Sequence, residues 1–339
     1  MPVTPARAHR RGGLGTKHII STRNVHSAGR NHLLFLIQLL RRPGYSFDGV
    51  GVCTTIVRGV WKTMMSTAVK IISDGVIKLD GGSMFGQVPK MDWENNVVTD
   101  RKNRMTLGLN CLLLQVQGQN VLVDTGVGSK DIDNDKETLG LVPSRLLKGL
   151  KGVGLGPKDI HAVILSHLHF DHSGGCTRLD RAGNIVPSFP KAKYYVQDSC
   201  WDEACNPNER CHITHREDNF LPIDERGQLE LLCGDSEIFP GLNVIVTDGH
   251  AKGHQIVMFN HGGERIVFLG DIVPTPHHLN PAVISAFDNS PETTLEAKKD
   301  LLNQAERQGW LLVFSHGHTT KAGYLERWGE SVRLRSVEL

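Results

Sequence analysis

"SHLHFDHSGG", residues 166–175, places His167, His169, Asp171 and His172 within six consecutive positions. The run is entered from "HAVILS" (161–166), an apolar stretch with the length and composition of a buried strand. In an extended chain, side chains at i, i+2 and i+4 share a face. His167, His169 and Asp171 are therefore expected to point the same way if the extension persists, with His172 directed to a second position. Neutral imidazole and carboxylate are ligands suited to a divalent transition metal, zinc being their commonest partner. Ser173-Gly174-Gly175 is expected to let the backbone turn sharply beneath such a site. A polar surface loop is the plain alternative, and three histidines in six positions after a buried strand weigh against it.

If this cluster is half of a metal site, the other half lies downstream. Three stretches fit, each following an apolar run: "VIVTDGHAKGH" (244–254) delivers His250 and His254, "RIVFLGD" (265–271) ends in Asp271, and "WLLVFSHGH" (310–318) ends in His316 and His318. Taken singly, a histidine at a strand end is more often a hydrogen-bonded structural group than a ligand, and Asp271 alone could be a cap. Together they matter, because open sheets place their sites at the carboxyl ends of strands.

The remaining sequence supplies strands in two groups, each closed by helices. "AVKIISDGVIKLDGG" (68–82) alternates and ends in a turn signal, as a hairpin strand does. "NRMTLGLNCLLLQVQGQNVLVDTG" (103–126) reads as two strands joined at Gly118. "AKYYVQ" (192–197) and "QIVMFN" (255–260) are further strands. Helical spacing runs through Leu146, Leu147 and Leu150 to Gly152 and Gly154, and "PETTLEAKKDLLNQAERQG" (291–309) is a helix with Pro at its start and Gly at its end. Such a pattern suits two sheets stacked face to face with helices outside.

Composition separates a leader from a body. The chain has 339 residues, a 39% apolar fraction sufficient for a real core, and a net charge of +2. Residues 1–47 contain eight Lys/Arg and no Asp or Glu, so they carry +8 and leave −6 on the other 292. A mildly acidic body gives no reason to expect a nucleic-acid partner. "LLFLIQLL" (33–40) is too short to span a bilayer, which takes about 20 apolar residues. The long basic segment before it and Arg41-Arg42 after it are also wrong for a signal peptide. Residues 1–67 are thus set apart as a basic N-terminal extension: disordered, a targeting sequence, or residues upstream of the true start. Residues 68–339 are expected to form a single folded domain that carries the candidate site. Seven scattered cysteines with no C-x-x-C pair suggest neither a disulfide framework nor a zinc knuckle. The expected location is cytoplasmic, with targeting or export left open by the leader.

The order HxHxDH, GHxxGH, GD and a final His after a strand resembles the metallo-β-lactamase superfamily over roughly 68–339. That resemblance implies an α+β fold, an αββα sandwich of two mixed sheets flanked by helices, with a dinuclear metal site at one edge. It also implies that His167, His169 and His250 hold one divalent ion, zinc being the first choice. Asp171, His172 and His316 would hold the other, and Asp271 would bridge the pair. Asp124, after an early strand, would be a supporting group near the site, as would His254. His318 has no assignable counterpart, and His316 is preferred as the last ligand because it directly follows the strand.

"DGGSMFGQVPKMDWE" (80–94), "DTGVGSK" (124–130) and "GDIVPTPHHLNP" (270–281) narrow the resemblance to quorum-quenching N-acyl-homoserine lactone lactonases of the YtnP type. That subgroup also resembles organophosphate-hydrolysing members such as methyl parathion hydrolase. The resemblance implies that Met84 and Phe85 lie beside the metals as substrate contacts; core packing is the alternative for both. Some lactonases carry a Tyr three positions after the bridging Asp. Here that position is Pro274, and His278, or less directly His277, is near enough in sequence to take a substrate-contact role.

The implied chemistry is metal-dependent hydrolysis of a lactone ring. Two cations sharing a bridge lower the pKa of a bound water, as one zinc does to about 7, and the bridging hydroxide attacks the ester carbonyl. Asp271 holds the bridge and Asp171 exchanges a proton with the leaving alkoxide. No G-x-S-x-G elbow is present. The alternatives within the fold are a phosphotriesterase, an arylesterase or a thioesterase. Known β-lactamases use a Cys at the second metal where this chain has Asp171 and His172, and redox diiron members replace the second His of the first motif, here His169, with Glu. A non-catalytic binding protein would be expected to have lost ligands, and here all seven positions are filled. The expected partner is a small lactone or ester substrate, with no nucleic acid and no membrane span. A homodimer is compatible with what is common among related lactonases.

Overall fold

The structure, a computed structural model, describes residues 68–130, 132–329 and 331–339. The expectation of a basic extension over 1–67 lies outside the described residues.

Among the described residues, eight strands precede residue 233. They are β1 (Val69–Asp80), β2 (Arg104–Val116), β3 (Gln119–Val123), β4 (Ala162–Ile164), β5 (Thr177–Leu179), β6 (Ile185–Pro187), β7 (Lys193–Gln197) and β8 (Leu229–Leu232). Six of them form one sheet in the order β1-β2-β3-β4-β7-β8, and β5-β6 is a separate hairpin. The first two pairings are antiparallel and the last three parallel, so the sheet is mixed. β2 and β3 join through Gln117 and Gly118, both at positive φ (50° and 83°), which suits a two-residue hairpin turn. β1 is a single long strand paired with β2, with a register shift between Ser73 and Gly75.

A second sheet collects β9 (Ser236–Phe239), β10 (Leu242–Val246), β11 (Gln255–His261), β12 (Glu264–Phe268), β13 (Leu311–Val313), β14 (Ala322–Trp328) and β15 (Ser331–Val337), in the order β15-β14-β13-β12-β11-β10-β9. Only β12 and β13 run parallel, and helix Pro291–Gln308 makes the crossover between them. That helix ends at Gly309 in the left-handed conformation, φ 65° and ψ 45°, as its sequence predicts.

Strand parity sorts the apolar residues into layers. Val121 and Val123 of β3 face the space between the sheets, where they meet Ile266 and Phe268 of β12 and Leu311 and Val313 of β13. The alternate residue Leu122 faces outward onto Leu146 and Leu150 of helix Leu146–Gly152. Val267 and Leu312 face the other way, onto Leu301, Leu302 and Ala305 of helix Pro291–Gln308. The result is helix, sheet, sheet, helix: the expected αββα sandwich. β8, β9 and the β14–β15 hairpin were not among the strands read from the sequence. β15 is an edge strand whose residues are mostly exposed, so its run lacks the apolar signature of the inner strands.

Candidate metal centre

The strand ends converge at one edge of the sandwich. β4 stops at Ile164, and His169 (φ −62°, ψ 150°) is the last extended residue before the chain turns. Phe170–Ser173 is then a helical turn, with the His172 and Ser173 N–H groups donating to the His169 carbonyl at 3.0 Å. This corrects the expectation that Asp171 shares a face with His167 and His169. Period-2 alternation is lost at Phe170, and Asp171 groups with His172 and His316 instead.

The glycines after the turn also act differently from the expectation. Gly174 has an ordinary helical φ of −59°. What it and Gly175 supply is the absence of a side chain: a Cβ would stand 2.1 Å from the Val127 carbonyl oxygen and 2.3 Å from that of Thr125, respectively. The motif's floor thus presses directly on the loop that follows β3.

His167, His169 and His250 present one ligand atom each within 4.8 Å of one another, and so do Asp171, His172 and His316. Asp271 stands between the two groups. Its Oδ1 is 3.3 Å from His172 Nε2 and 3.2 Å from His316 Nε2, and its Oδ2 is 3.6 Å from His250 Nε2. His169 approaches with Nδ1, 3.1 Å from His250 Nε2. All of these imidazoles are buried. His318 is exposed and belongs to neither group.

The far nitrogens of the imidazoles are held by acceptors, which fixes the rings. His172 Nδ1 donates to Asp124 Oδ2 at 2.7 Å, His250 Nδ1 to Asp288 Oδ1 at 2.8 Å, and His316 Nδ1 to the Gly108 carbonyl at 2.8 Å. Ser166 Oγ gives its only proton to Asp124 Oδ2 at 2.7 Å, so it accepts from His167 Nδ1 at 3.1 Å. In each case Nε2 is the atom left to face the cluster. Asp124 serves these bonds from a left-handed backbone (φ 56°) and also takes the Ser166 N–H at 2.7 Å. A non-glycine residue in that region is strained, and strain of this kind concentrates at functional sites.

His254 plays a different part. Its Nδ1 donates to Thr247 Oγ1 at 2.6 Å and its Nε2 accepts the Asp271 backbone N–H at 2.9 Å, so both nitrogens are used. With Ser315 Oγ donating to Asp271 Oδ1 at 2.8 Å, it holds Asp271 in place.

The electrostatics are those of a cation site. Burial, with neighbouring imidazoles, keeps His167 and His169 well below the usual histidine pKa, and burial pushes His254 down to about 3. Burial also opposes charging of His172, His250 and His316, but adjacent carboxylates outweigh it and raise all three: Asp271 and Asp124 for His172, Asp288 and Asp271 for His250, and Asp271 for His316. Burial works against the Asp271 anion too, yet His316 and His172 hold its carboxyl well below the usual range. A proton and a divalent cation compete for the same nitrogens. His167 Nε2 is the clearest test of fit. It carries a lone pair, it is buried, and no donor among the described residues reaches it. An unpaired buried polar atom is costly, and a cation satisfies it.

A cavity of about 50 Å³ opens onto the cluster, with His169, Asp171, His250, Asp271 and His316 on its floor. Leu79, Met84, Phe170, Pro274 and Phe287 make an apolar wall, joined by Thr214 and Ser285. Met84 is thus beside the cluster. Phe85 and His278, expected as substrate contacts, are not among the lining residues. Phe85 turns into the protein between Trp93 (ring centroids 4.8 Å apart) and His278 (5.3 Å). His278 spends both nitrogens on protein, Nδ1 with Thr275 Oγ1 and Nε2 on the Met84 carbonyl, each at 2.8 Å. It braces the segment that carries Met84. Asp288, Ser166, Thr214 and Phe287 were not found from the sequence. Asp288 lies in "SAFDNS" (285–290), which has no motif, and Ser166 was visible only as the residue before His167.

Known proteins share these features. The family model described as the metallo-beta-lactamase superfamily matches residues 106–316. An N-acyl homoserine lactonase of Bacillus thuringiensis is 28% identical over 238 residues, covering 66% of this chain and 86% of its own. The crystal structure of a probable metal-dependent hydrolase from Staphylococcus aureus superposes with a TM-score of 0.73 at 30% identity, covering 80% of this chain and 98% of that one. AidC, a dizinc quorum-quenching lactonase solved with a product, shares the fold (TM-score 0.66, 18% identity, 80% and 94% covered). The sandwich, the order of the motifs along it and the family match agree: the chain belongs to the metallo-β-lactamase superfamily and is a metal-dependent hydrolase.

Proposed function

We propose that this hydrolase opens lactone rings, N-acyl homoserine lactones first among them, at a site for two divalent ions. The observation that carries the reading is the position of Asp271, one oxygen toward His172 and His316 and the other toward His250, beside an apolar-walled cavity. His167, His169 and His250 would hold one ion, Asp171, His172 and His316 the other, with Asp271 shared. Zinc suits the nitrogen-rich donor set. When bound, such a pair supplies Lewis acidity and makes water nucleophilic near neutral pH. The 28%-identical Bacillus relative, named for acyl homoserine lactone hydrolysis, supports the substrate class.

The protein's own contribution follows from its geometry. Asp124, Asp288 and the Gly108 carbonyl hold His172, His250 and His316 in the tautomer with Nε2 inward. Asp171 lines the cavity, with Oδ2 3.5 Å from His316 Nε2, and is the group placed to return a proton to the departing alkoxide oxygen. The wall of Leu79, Met84, Phe170 and Phe287 excludes water and receives the acyl part of the substrate. Pro274 lines the cavity where some lactonases have a Tyr, so this chain supplies no phenol hydroxyl at that position.

A substrate panel on metal-loaded protein tests this: acyl-homoserine lactones, aryl esters, phosphotriesters, a glutathione thioester and a β-lactam. The lactones are expected to lead in kcat/KM by about tenfold or more, the discrimination a shaped apolar pocket gives. A phosphotriester or aryl ester in first place would replace the reading with the corresponding hydrolase of the same fold. Metal retention gives a second check. Asp124→Asn and Asp288→Asn should each weaken it about 10–100-fold, as loss of an outer histidine partner does elsewhere. Competition against a chromophoric chelator measures the loss, and unchanged affinity in both variants would contradict the assignment.

A further inference from the structure

The segment 283–288 carries two functions at once. Ser285 and Phe287 face the cavity, and Asp288 orients His250. The segment is tied down at several points. Lys298 Nζ donates to the Val283 carbonyl at 2.5 Å from beneath. Arg210 Nη2 donates to the carbonyls of both Ala286 (2.7 Å) and Asp288 (2.9 Å) from the neighbouring loop. The Ala286 N–H donates to the Ser83 carbonyl at 2.8 Å, and the Asn289 N–H to that of His250 at 3.1 Å. Contact with residues 81–86 is close enough that a Cβ on Gly86 would stand 2.1 Å from the Ile284 carbonyl oxygen.

Lys298 is unusual in itself. Only 1% exposed, it carries an ammonium on the buried face of helix Pro291–Gln308. Burial lowers its pKa to about 8, against the pull of Asp288. A buried ammonium is expensive unless its donors are used, and here one is spent on a backbone carbonyl of the segment. Arg210 reaches the same segment from the surface side, so two cations from different elements converge on it. Neither lines the cavity.

We propose that Arg210 and Lys298 are positioning residues that hold 283–288 as one rigid strap, and through it set both the size of acyl group admitted and the grip of His250 on its metal. The kinetic half of this rests on the lactonase reading; the metal half does not. Zinc-loaded full-length protein and its Arg210→Met, Arg210→Lys and Lys298→Met variants test it, with N-butanoyl and N-decanoyl homoserine lactone as substrates. Arg210→Met is expected to raise KM for the decanoyl lactone about tenfold relative to the butanoyl one, with kcat for the latter changed far less, since a remote change that misplaces a wall is felt where contact is largest. Zinc release to a chelator should accelerate by about the same factor. Arg210→Lys keeps the charge but loses the fork, and should recover part of both effects. Lys298→Met should reproduce the pattern; because it is buried, a loss of folding there leaves Arg210→Met as the deciding variant. An unchanged acyl ratio with unchanged zinc release in Arg210→Met overturns the proposal. So does an equal loss for both lactones accompanied by a lower Tm and unchanged zinc release. If the parent protein hydrolyses neither lactone, the lactonase reading fails, and zinc release alone decides whether the strap exists.

Discussion

Asp271→Ala is expected to lower kcat/KM by about 10³-fold or more, because removing the shared carboxylate undoes both halves of the centre and forfeits several kcal/mol of charge stabilisation. Five imidazole nitrogens and Asp171 remain within reach, but His172 and His316 lose the anion 3.3 and 3.2 Å away, and His250 loses one at 3.6 Å. Metal content should fall with activity. His318→Ala is the matched control: the side chain is exposed, stands apart from both ligand groups, and its loss should change kcat/KM by no more than about twofold. Steady-state kinetics with metal analysis on both variants checks this. Equal losses in the two would mean that the last strand delivers its ligand from the wrong histidine.

Chelation is expected to have an effect of similar size. A strong chelator should abolish hydrolysis, and zinc, manganese or cobalt added back should restore it, because no cysteine lines the cavity and its two hydroxyls, Ser285 and Thr214, donate to the Ser83 and Cys211 carbonyls and not to a base that would activate them. The buried thiols nearest the motif support that view: burial raises Cys176 to about 12 and pushes Cys200 up as well, and Cys176 also shares a hydrogen bond with Thr125. A thiol held protonated is a poor nucleophile. Full activity after exhaustive chelation, with metal shown to be absent, would refute the metal-dependent reading. Stability should move in the same direction as activity. Without a cation His167 Nε2 stays unpaired, and an ion that binds only the folded chain stabilises it, so the metal-loaded protein should melt at a higher temperature, rising with free zinc.

What was legible in the sequence follows from where the chemistry is concentrated. The ligand-type residues stand at the ends of apolar strands, and a strand's period is short enough to read directly. Hence His167, His169, Asp171, His172, His250, Asp271 and His316 could be named before any coordinates, and the structure brings their side chains together. The layers were legible for the same reason, since Val121, Leu122 and Val123 announce a strand buried on both faces.

Three things were not legible. The helical turn at Phe170–Ser173 is set by hydrogen bonds back to His169, a tertiary choice that alternation cannot foresee. The outer partners are a backbone carbonyl at Gly108 and a carboxylate at Asp288, and neither has a spacing relation to the histidine it holds. Phe85 and His278 were placed beside the metals by their neighbourhood in the motif. Stacking against Trp93 and a hydrogen bond to the Met84 carbonyl turn them away from the cavity instead, leaving Met84 as the member that faces it.

The central claim is that two cations share Asp271 between two groups of histidines. Anomalous diffraction at the zinc edge, from crystals of zinc-loaded protein, tests it most directly. The account predicts two peaks, one about 2 Å from His167 Nε2, His169 Nδ1 and His250 Nε2, the other about 2 Å from Asp171, His172 and His316, each touching one oxygen of Asp271. A single peak at saturating zinc, or zinc bound away from Asp271, would contradict it.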